Sequence, residues 1–228
     1  MFANKLLIAA VLTAAGATSI SAQDRVSDGF HTTISNGHTR MTLIAGPAQT
    51  FTRSNINDAG LVTIFSNLAS KYPKGEYWCC EGYNVMGPSV GEQWMAAAFT
   101  PSADHTATKI EVAAGWSEGT NGIVISLNSD SSGMPGKALK TWNASGLQNF
   151  GTCCMLVVKT DKSGIALSAG KQYWVVLSTN SNELSTVDAW NVDDTDQIDS
   201  ATLASYTNNQ WTVFQTSPGV AFAVKGSN

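Results

Sequence analysis

The sequence predicts an all-β protein built as an antiparallel β-sandwich and stabilised by disulfides. From Leu61 onward, short apolar segments alternate with turn residues, and no run of helical periodicity is long enough to compete. Glycine accounts for 20 of the 228 residues and only 13% of the chain is charged, a balance common in secreted β proteins that have many turns. Four cysteines follow a segment typical of an export signal, and cysteines in exported proteins usually form disulfides.

Residues 1–22 are predicted to be a signal peptide. Lys5 supplies a positive charge, residues 6–15 form a short apolar run, and small residues before Gln23 suit cleavage. Cleavage after Ala17 is the alternative. The apolar run is shorter than the roughly 20 residues that a membrane-spanning helix needs. We therefore expect a secreted or periplasmic protein whose mature chain has no membrane span.

Residues 23–60 are predicted to be an N-terminal extension, because Gly, Asn, Thr and Ser are frequent there. Ile34 and residues 41–44 are the only hints of β structure, so the extension either adds one edge strand or stays partly mobile. Residues 61–228 are predicted to form the β-sandwich domain. Its candidate strands are residues 61–65, 94–100, 108–116, 122–128, 138–142, 153–160, 172–179, 187–192, 201–206, 210–215 and 220–224.

Alternation of apolar and polar residues predicts how some strands are covered. Ile110, Val112 and Trp116 share one side of the strand at 108–116, so that strand has one wet face. Residues 173–177 are apolar at every position, which predicts a central strand covered on both sides. Turns are predicted where residues accept positive φ or preset a turn, at 133–136, 161–164, 208–209 and 217–219.

An ordered set of short motifs supports the same fold. In this order the motifs resemble the bacterial exported domains called choice-of-anchor R proteins, over roughly residues 61–226. The resemblance implies a jelly-roll-like β-sandwich of unassigned function and carries no catalytic residues. Members often end in a surface-sorting tail, which this sequence lacks, so we expect release or periplasmic residence. The motifs are YWCCEG at 77–82, AAAFTP at 96–101, TKIEVA at 108–113, LNSDSSGMPG at 127–136, FGTCC at 150–154 and YWVVL at 173–177.

The four cysteines form two doublets, Cys79-Cys80 and Cys153-Cys154. Neighbouring residues on a strand point to opposite faces, so two doublets on adjacent strands can form one cross-strand bridge per face. Three pairings are open: Cys79-Cys153 with Cys80-Cys154, Cys79-Cys154 with Cys80-Cys153, and two vicinal bridges. Vicinal bridges distort the peptide between them, so a link between the doublets is favoured. A zinc site and a redox switch are the alternatives, but adjacent thiolates reach one ion poorly.

Seven tryptophans are many for this length, and secreted sandwiches often hold sugars on aromatic side chains. Trp116 and Trp174 are predicted to be core residues, because they belong to apolar strand faces. Trp142, Trp190 and Trp211 are predicted to lie at the surface as ligand-binding candidates. Trp142 shares a strand face with a lysine, and the other two adjoin polar loops.

Four carboxylates follow one candidate strand and could bind calcium, which takes about six to eight oxygen ligands. They are Asp193, Asp194, Asp196 and Asp199. The segment lacks the glycine and the final glutamate of an EF-hand loop, so a solvated acidic loop is the alternative. Calcium is the only cofactor that the sequence suggests.

The segment Gly115–Gly119 matches the Gly-x-Ser-x-Gly pattern of hydrolases, in which a strand-to-helix turn exposes the serine. Here the pattern leads into another apolar strand, and all three histidines precede Ser117, whereas the hydrolase order places the histidine after the serine. We therefore predict an ordinary hairpin turn. No pair of carboxylates stands out for glycoside hydrolysis among Glu76, Glu81, Glu92, Glu111 and Glu118.

The formal charge of −4, with dispersed lysines, argues against a nucleic-acid partner, which usually requires a clustered basic face. The sequence favours an exported, non-catalytic binding or structural module. A glycan or cell-envelope polymer is the expected class of ligand, by analogy with other sandwiches. The alternatives are a secreted hydrolase acting on carbohydrates or esters, and a self-associating component of an extracellular matrix or surface.

Overall fold

The protein is all-β, as the sequence predicts. The computed structural model describes residues 25–27, 30–35, 37–43, 58–68, 78–152, 156–180, 182, 184–193, 201–216 and 218–228, and the predicted signal peptide, residues 1–22, lies outside them. None of the helical structure in these ranges is long and apolar enough to cross a membrane. One turn of 3-10 helix lies at Pro88–Val90. The strands are β1 (Arg25–Ser27), β2 (Phe30–Ser35), β3 (His38–Leu43), β4 (Val62–Ser66), β5 (Trp78–Met86), β6 (Trp94–Phe99), β7 (His105–Val112), β8 (Ala114–Glu118), β9 (Gly122–Ser131), β10 (Met134–Ser145), β11 (Val157–Leu167), β12 (Tyr173–Ser178), β13 (Val187–Val192), β14 (Ala201–Thr207), β15 (Gln210–Thr216) and β16 (Phe222–Ser227).

The strands form three sheets. Sheet 1 has the order β1-β2-β3-β5-β13-β8, sheet 2 has the order β10-β9-β12-β6-β14-β15, and sheet 3 has the order β11-β7-β16-β4. The pairings between these strands are antiparallel. The apolar strand β12 lies between β9 and β6 in the middle of sheet 2, which confirms its predicted central position.

The main hydrophobic core contains residues of all three sheets. Sheet 1 contributes Val85 and Trp190, and sheet 3 contributes Ile110 and Phe222. Sheet 2 contributes alternate residues of its strands, which therefore present one face to the core. This arrangement of antiparallel sheets around one core is consistent with a β-sandwich. The sheet 2 residues in the core include Met95, Ala97, Phe99, Ile123, Ile125, Leu127, Val175, Leu177 and Leu203.

The predicted single strand at 108–116 is wrong, because the chain changes sheets at Ala113. Strand β7 belongs to sheet 3, and β8 belongs to sheet 1. At the junction Ala113 N donates to Ala221 O at 3.1 Å, Asn191 N donates to Ala113 O at 2.8 Å, and Ala221 N donates to Asn191 O at 2.8 Å. These three backbone hydrogen bonds link Ala113, Asn191 and Ala221, and so they join sheets 1 and 3 at this point. Residues 112–115 are small or apolar, so the pattern of side chains does not indicate that the strand ends here.

The N-terminal region contributes three strands, where the sequence predicted at most one. Strand β3 pairs with β2 on one side and with β5 on the other. The Gln93 side chain acts like a strand partner of Thr39, since it accepts from Thr39 N at 2.8 Å and donates to Thr39 O at 3.1 Å. The His38 ring stacks on Phe214 of sheet 2 at 3.9 Å. Strands β2 and β3 are therefore part of the packed structure.

Strand β5 was not among the predicted strands, although it lies between β3 and β13 in sheet 1. Its polar and glycine residues interrupt the alternation of apolar and polar residues that predicts a strand. Gly82 is required there by close packing, because a Cβ at this position would lie 2.8 Å from the backbone oxygen of Trp190. Strand β5 is therefore identified by its pairing with β3 and β13 and not by its own composition.

The turn predicted at 208–209 is a tight hairpin, whereas the turn predicted at 133–136 lies instead at Ser132-Gly133, because β10 begins at Met134. Asn208 and Asn209 join β14 to β15 with φ of 52° and 62°, and Ser132 and Gly133 join β9 to β10 with φ of 55° and 81°. Such left-handed pairs match the twist of the flanking strands. The turn predicted at 161–164 is instead an irregularity within β11, between the paired residues Thr160 and Ile165.

Candidate functional site

The face of sheet 2 that points away from the core is the candidate functional site. On β6 the residues Met95, Ala97 and Phe99 point into the core, so Trp94, Ala96 and Ala98 lie on the opposite, outer face. On β14 the core residue is Leu203, and Ala204 and Tyr206 lie on the outer face. Register then places Trp211 of β15 directly opposite Tyr206.

Three of these residues form a continuous group of rings, which we call the aromatic patch: Trp94, Tyr206 and Trp211. Trp94 and Tyr206 are cross-strand partners, and their rings stack with centroids 4.3 Å apart at an angle of 12°. The rings of Tyr206 and Trp211 are 5.3 Å apart at 59°. All three side chains are half-buried. The patch thus crosses three adjacent strands and remains partly open to solvent.

Small and apolar side chains lie beside the aromatic patch on the same face. Ala96 and Ala204 are direct cross-strand partners, and both are fully buried. They belong to a second apolar cluster that also contains Trp174 and Val176, and the ring of Trp211 packs against it. This packing fixes the patch on a rigid β scaffold, which favours precise positioning of a ligand.

Neutral polar groups surround the outer end of the aromatic patch. The hairpin residues Asn208, Asn209 and Gln210 are exposed, and the hydroxyl of Tyr206 donates to Asn209 Oδ1 at 3.3 Å. Ring faces can contact the C–H face of a sugar while amides bind its hydroxyl groups. The arrangement is therefore suited to binding a neutral, polar polymer.

The other two predicted ligand-binding tryptophans lie elsewhere. Trp142 pairs with Ile125, so it points inward, and its Nε1 donates to Thr160 O at 3.2 Å. It packs against the edge of the core between sheets 2 and 3. The prediction that Trp190 lies at the surface is wrong, since this residue is 0% exposed and its Nε1 donates to Ala221 O at 3.0 Å.

Two members of the aromatic patch, Trp94 and Tyr206, were missed by the sequence analysis. A signal was present for Trp94, because it alternates with Met95 and Phe99 and so falls on the face opposite to the core. Tyr206 precedes the Asn208-Asn209 turn and therefore must pair with Trp211 across a two-residue hairpin. Combining turn type with alternation would have identified that pair.

The predicted calcium ligands are only partly described. Asp193 is buried, and its Oδ2 accepts from Asn67 Nδ2 at 2.8 Å. Asp194, Asp196 and Asp199 lie outside the described residues. Within the described ranges there is no group of three or more His, Cys, Asp or Glu residues that could hold a metal ion. The calcium site stays a prediction.

The cysteine doublets are also described only in part. Cys80 is half-buried on β5, whereas the side chain of Cys79 and the whole of Cys153 and Cys154 lie outside what the structure describes. Cys80 packs against a small buried cluster, Ala113 and Ala221, and Leu156 packs against the same cluster. Leu156 is the second residue after Cys154, so a described residue near each doublet packs against the same two alanines.

The Gly-x-Ser-x-Gly segment does not form a nucleophile elbow. Strand β8 ends at Glu118, and the chain continues after a short turn into strand β9 with no helix between them. The indole of Trp116 donates to Gly119 O at 3.2 Å, which closes the turn locally. The predicted hairpin is also wrong, because β8 lies in sheet 1 and β9 in sheet 2. Ser117 therefore lies within strand β8, one residue before its end, and not on a strand-to-helix turn.

A buried ion network lies on sheet 3, where Glu111 is 1% exposed at its side chain. Lys109 Nζ and Lys225 Nζ each lie 2.8 Å from Glu111 and 2.5 Å from Asp58. Desolvation raises the pKa of Asp58, but hydrogen bonds from both lysines outweigh it and hold that pKa below its usual value. The charges satisfy one another, so this network stabilises the fold and offers no free acid or base.

No protein-family model matches the chain, and a search of curated proteins found no match.

Proposed function

We propose that this protein is an exported, non-catalytic binding module, a disulfide-stabilised jelly-roll-like β-sandwich that binds a neutral glycan or cell-envelope polymer through the aromatic patch. The observation that carries the proposal is the aromatic patch itself. Trp94, Tyr206 and Trp211 form one partly exposed surface that is held by a rigid sheet. Aromatic side chains with an apolar face and a polar edge are typical of binding surfaces.

The chemistry of the surroundings favours a neutral ligand. The patch consists of uncharged rings, and the adjoining hairpin residues Asn208, Asn209 and Gln210 are amides. Amides both donate and accept hydrogen bonds, as recognition of hydroxyl groups requires. The chain as a whole is mildly acidic, which disfavours anionic polymers such as nucleic acid.

The size of the patch favours a polymer over a single small ring. Its rings occupy the three adjacent strands β6, β14 and β15, and neighbouring strands lie about 4.8 Å apart. The patch therefore extends about 10 Å across the sheet. The resemblance of residues 61–226 to exported choice-of-anchor R domains agrees with a ligand outside the cytoplasm.

The test is a binding assay on the mature protein with matched tryptophan variants. Neutral polysaccharides and purified envelope polymers are presented on an array, and those that bind are then titrated by calorimetry. Trp211→Ala is expected to weaken binding at least about tenfold, which is the loss typical of a central aromatic contact. Trp142→Ala serves as the control, because Trp142 is also half-buried but points inward. Equal losses in both variants, or no binding of any polymer, would contradict the proposal.

Two further assays on the same material test the alternative functions. Esterase and glycosidase substrates are expected to give no turnover, because Ser117 lies within strand β8, which is followed by another strand and lacks the elbow geometry. Sedimentation is expected to show no assembly that depends on calcium or concentration. Turnover that is abolished by Ser117→Ala, or self-assembly without a polymer ligand, would favour the alternatives instead.

We also propose that disulfides link the doublet Cys79-Cys80 to the doublet Cys153-Cys154. The support is the packing of Cys80 and Leu156 against the same two alanines. Closing a loop of roughly 70 residues stabilises a fold by about 4 kcal/mol on the chain-entropy model. Peptide mapping of the exported protein without reduction is expected to find the two doublets in one linked peptide. Four free thiols would contradict this link.

A further inference from the structure

A cavity of about 220 Å³ opens in sheet 2 where two of its strands separate. Strands β6 and β14 are paired at Ala97 and Leu203, but their pairing ends there, and the following residues Ala98 and Thr202 line the cavity. Phe65 and Phe222 of sheet 3, which pack on the core side of sheet 2, line the same cavity. It is therefore a pocket that connects the outer face of sheet 2 to the interior.

The inner end of the cavity is aromatic. The rings of Phe65 and Phe222 stack with centroids 4.7 Å apart, and Phe99 lies 5.8 Å from Phe65 and 6.2 Å from Phe222. These three rings form a fixed apolar wall. Such a wall binds the apolar face of a ring, and its packing within the core keeps it in place.

The outer end of the cavity is polar but uncharged. Gln172 Nε2 donates to Asp130 at 2.8 Å, which orients the side chain and leaves its amide oxygen to accept from a ligand. Thr202 Oγ1 accepts from Gln215 Nε2 at 2.8 Å, which leaves the hydroxyl hydrogen to donate. The described residues that line the cavity include no Asp, Glu, Lys or Arg.

The volume of the cavity limits its ligand to one ring. Pockets for drug-sized molecules measure about 300–1,000 Å³. A cavity of about 150 Å³ is enough for benzene. At about 220 Å³ the pocket accommodates one six-membered ring with a few substituents.

We infer that this cavity binds one neutral hexopyranose residue, the end residue of the polymer that the aromatic patch binds, so the inference rests on the proposed function. Both sites lie on the same two strands. Trp94 of the patch and Ala98 at the cavity are four residues apart on one face of β6, a separation of about 13 Å. A chain whose end residue occupies the cavity can therefore continue along β6 and β14 to the aromatic patch.

The inference is tested with single sugars, which are too small to cover both sites. The mature protein is titrated with the methyl glycosides of glucose, galactose, mannose and N-acetylglucosamine, and with phenol and indole as rings that are not sugars. Backbone amide shifts in NMR spectra locate the binding. At least one methyl glycoside is expected to bind in the millimolar range and to shift the amides of Ala98, Thr202 and Gln172.

Two variants with matched controls locate the ligand. Ala98→Leu fills the mouth of the cavity from the outer face and is expected to weaken glycoside binding at least tenfold. Ala138→Leu makes the same change at an exposed position of β10 in the same sheet and is expected to leave binding within twofold of the original. Thr202→Val removes only a hydroxyl group and is expected to weaken binding about threefold to tenfold, which provides a readout if Ala98→Leu lowers the yield of folded protein.

The outcomes separate this inference from the proposed function. If no methyl glycoside binds, or if binding survives both Ala98→Leu and Thr202→Val, the cavity assignment is overturned while polymer binding at the aromatic patch can still stand. If a methyl glycoside binds in the cavity but Trp211→Ala leaves polymer binding unchanged, the cavity assignment stands and the patch assignment falls. Binding of phenol or indole without any glycoside overturns the sugar assignment.

Discussion

Trp94 and Tyr206 are direct partners across β6 and β14, and their rings stack at 4.3 Å with an interplanar angle of 12°. The stack exists because the register of these two strands places both rings on the outer face of sheet 2. A shift of one residue would turn one of the two rings into the core. The aromatic patch is thus a product of strand pairing as much as of the residues themselves.

The stack is expected to contribute to stability as well as to binding. Tyr206→Leu keeps an apolar side chain on β14 but removes the ring that contacts both Trp94 and Trp211. We expect the free energy of unfolding to fall by about 1 kcal/mol, the typical value of aromatic pairs beyond their buried area. Urea denaturation followed by tryptophan fluorescence measures the change.

Tyr206→Phe is the control for this variant. It keeps the ring and loses only the exposed hydrogen bond to Asn209, so its unfolding free energy is expected to stay within about 0.5 kcal/mol of the original. A loss as large as that of Tyr206→Leu would show that the hydroxyl group, and not the ring, stabilises this position.

Asn67 is expected to be among the most sensitive polar positions. Its buried amide donates to Asp193 Oδ2 at 2.8 Å and to Val220 O at 2.7 Å, and its Oδ1 accepts from Phe222 N at 2.8 Å. Asn67→Leu removes all three bonds, and each buried polar group that loses its partner costs about 1–3 kcal/mol. We expect the free energy of unfolding to fall by about 3 kcal/mol or more.

The matched control is Asn143→Leu, since Asn143 is exposed on β10. Thermal denaturation of both variants is expected to show a large fall in Tm for Asn67→Leu and almost none for Asn143→Leu. Similar Tm values for the two variants would mean that the Asn67 bonds are replaced by water.

The ion network on sheet 3 is expected to fail when Glu111 loses its charge. Glu111→Gln leaves Lys109 and Lys225 close together with only Asp58 to balance them. Removing one partner of a buried ion pair costs about 3–5 kcal/mol, so we expect a loss of about 3 kcal/mol. Glu118→Gln is the exposed control, and a loss below about 1 kcal/mol in Glu111→Gln would contradict a stabilising role of the network.

The same network is expected to stabilise the protein only between two pH limits. The folded pKa of Asp58 lies below its ordinary 3.8, so its contribution is present above that pH and disappears as the pH falls further. Desolvation lowers the pKa of Lys225, but the hydrogen bonds that it donates to Asp58 and Glu111 outweigh it and raise the pKa above 10.5. Its contribution is present below that pH and disappears as the pH rises. The stability difference between Asp58→Asn and the original should therefore shrink at both extremes.

Asp161 is expected to give a clear acid dependence. The hydrogen bond from Lys140, at 2.8 Å, lowers the pKa of Asp161 to about 2, and bonds from Ser163 add to the effect. Because the folded pKa lies below the ordinary 3.8, the stabilisation is present above about pH 4 and is lost as the pH falls toward 2. Asp161→Asn should lower Tm at neutral pH, and the difference in Tm should vanish near pH 2.

Lys140→Met provides the complementary test of the Asp161 prediction. Removing the ammonium group takes away the largest cause of the lowered pKa, so the acid transition of this variant should move to higher pH. An unchanged acid transition in Lys140→Met would show that Ser163 alone controls Asp161.

Much of the fold follows from local signals in the sequence. The apolar run of β12 predicts its central position, and the Asn208-Asn209 pair predicts the hairpin between β14 and β15. Strand β5 and the break at Ala113 could not be predicted in this way. Both depend on backbone hydrogen bonds to residues more than twenty positions away. Such bonds produce no periodic pattern of side chains along the sequence.

The residues of the candidate site could also be predicted only in part from the local sequence. The sequence predicted that both Trp211 and Trp190 lie at the surface, because both adjoin polar segments and have similar local sequence surroundings. Only the packing of sheets 1 and 3 puts Trp190 into the core against Phe222, at 5.8 Å between centroids. Only the register of sheet 2 brings Trp94 beside Tyr206.

By itself, the sequence determined that this protein is all-β, where the Asn208-Asn209 turn lies and which side of several strands is apolar. These are local properties, since alternation and turn preferences depend on residues within a few positions of one another. The tertiary structure alone decided which strands are neighbours, which tryptophans remain at the surface and where a cavity opens between β6 and β14. Lateral pairing is set by hydrogen bonds between distant segments, and their energies depend on the whole sheet and not on any one stretch of chain.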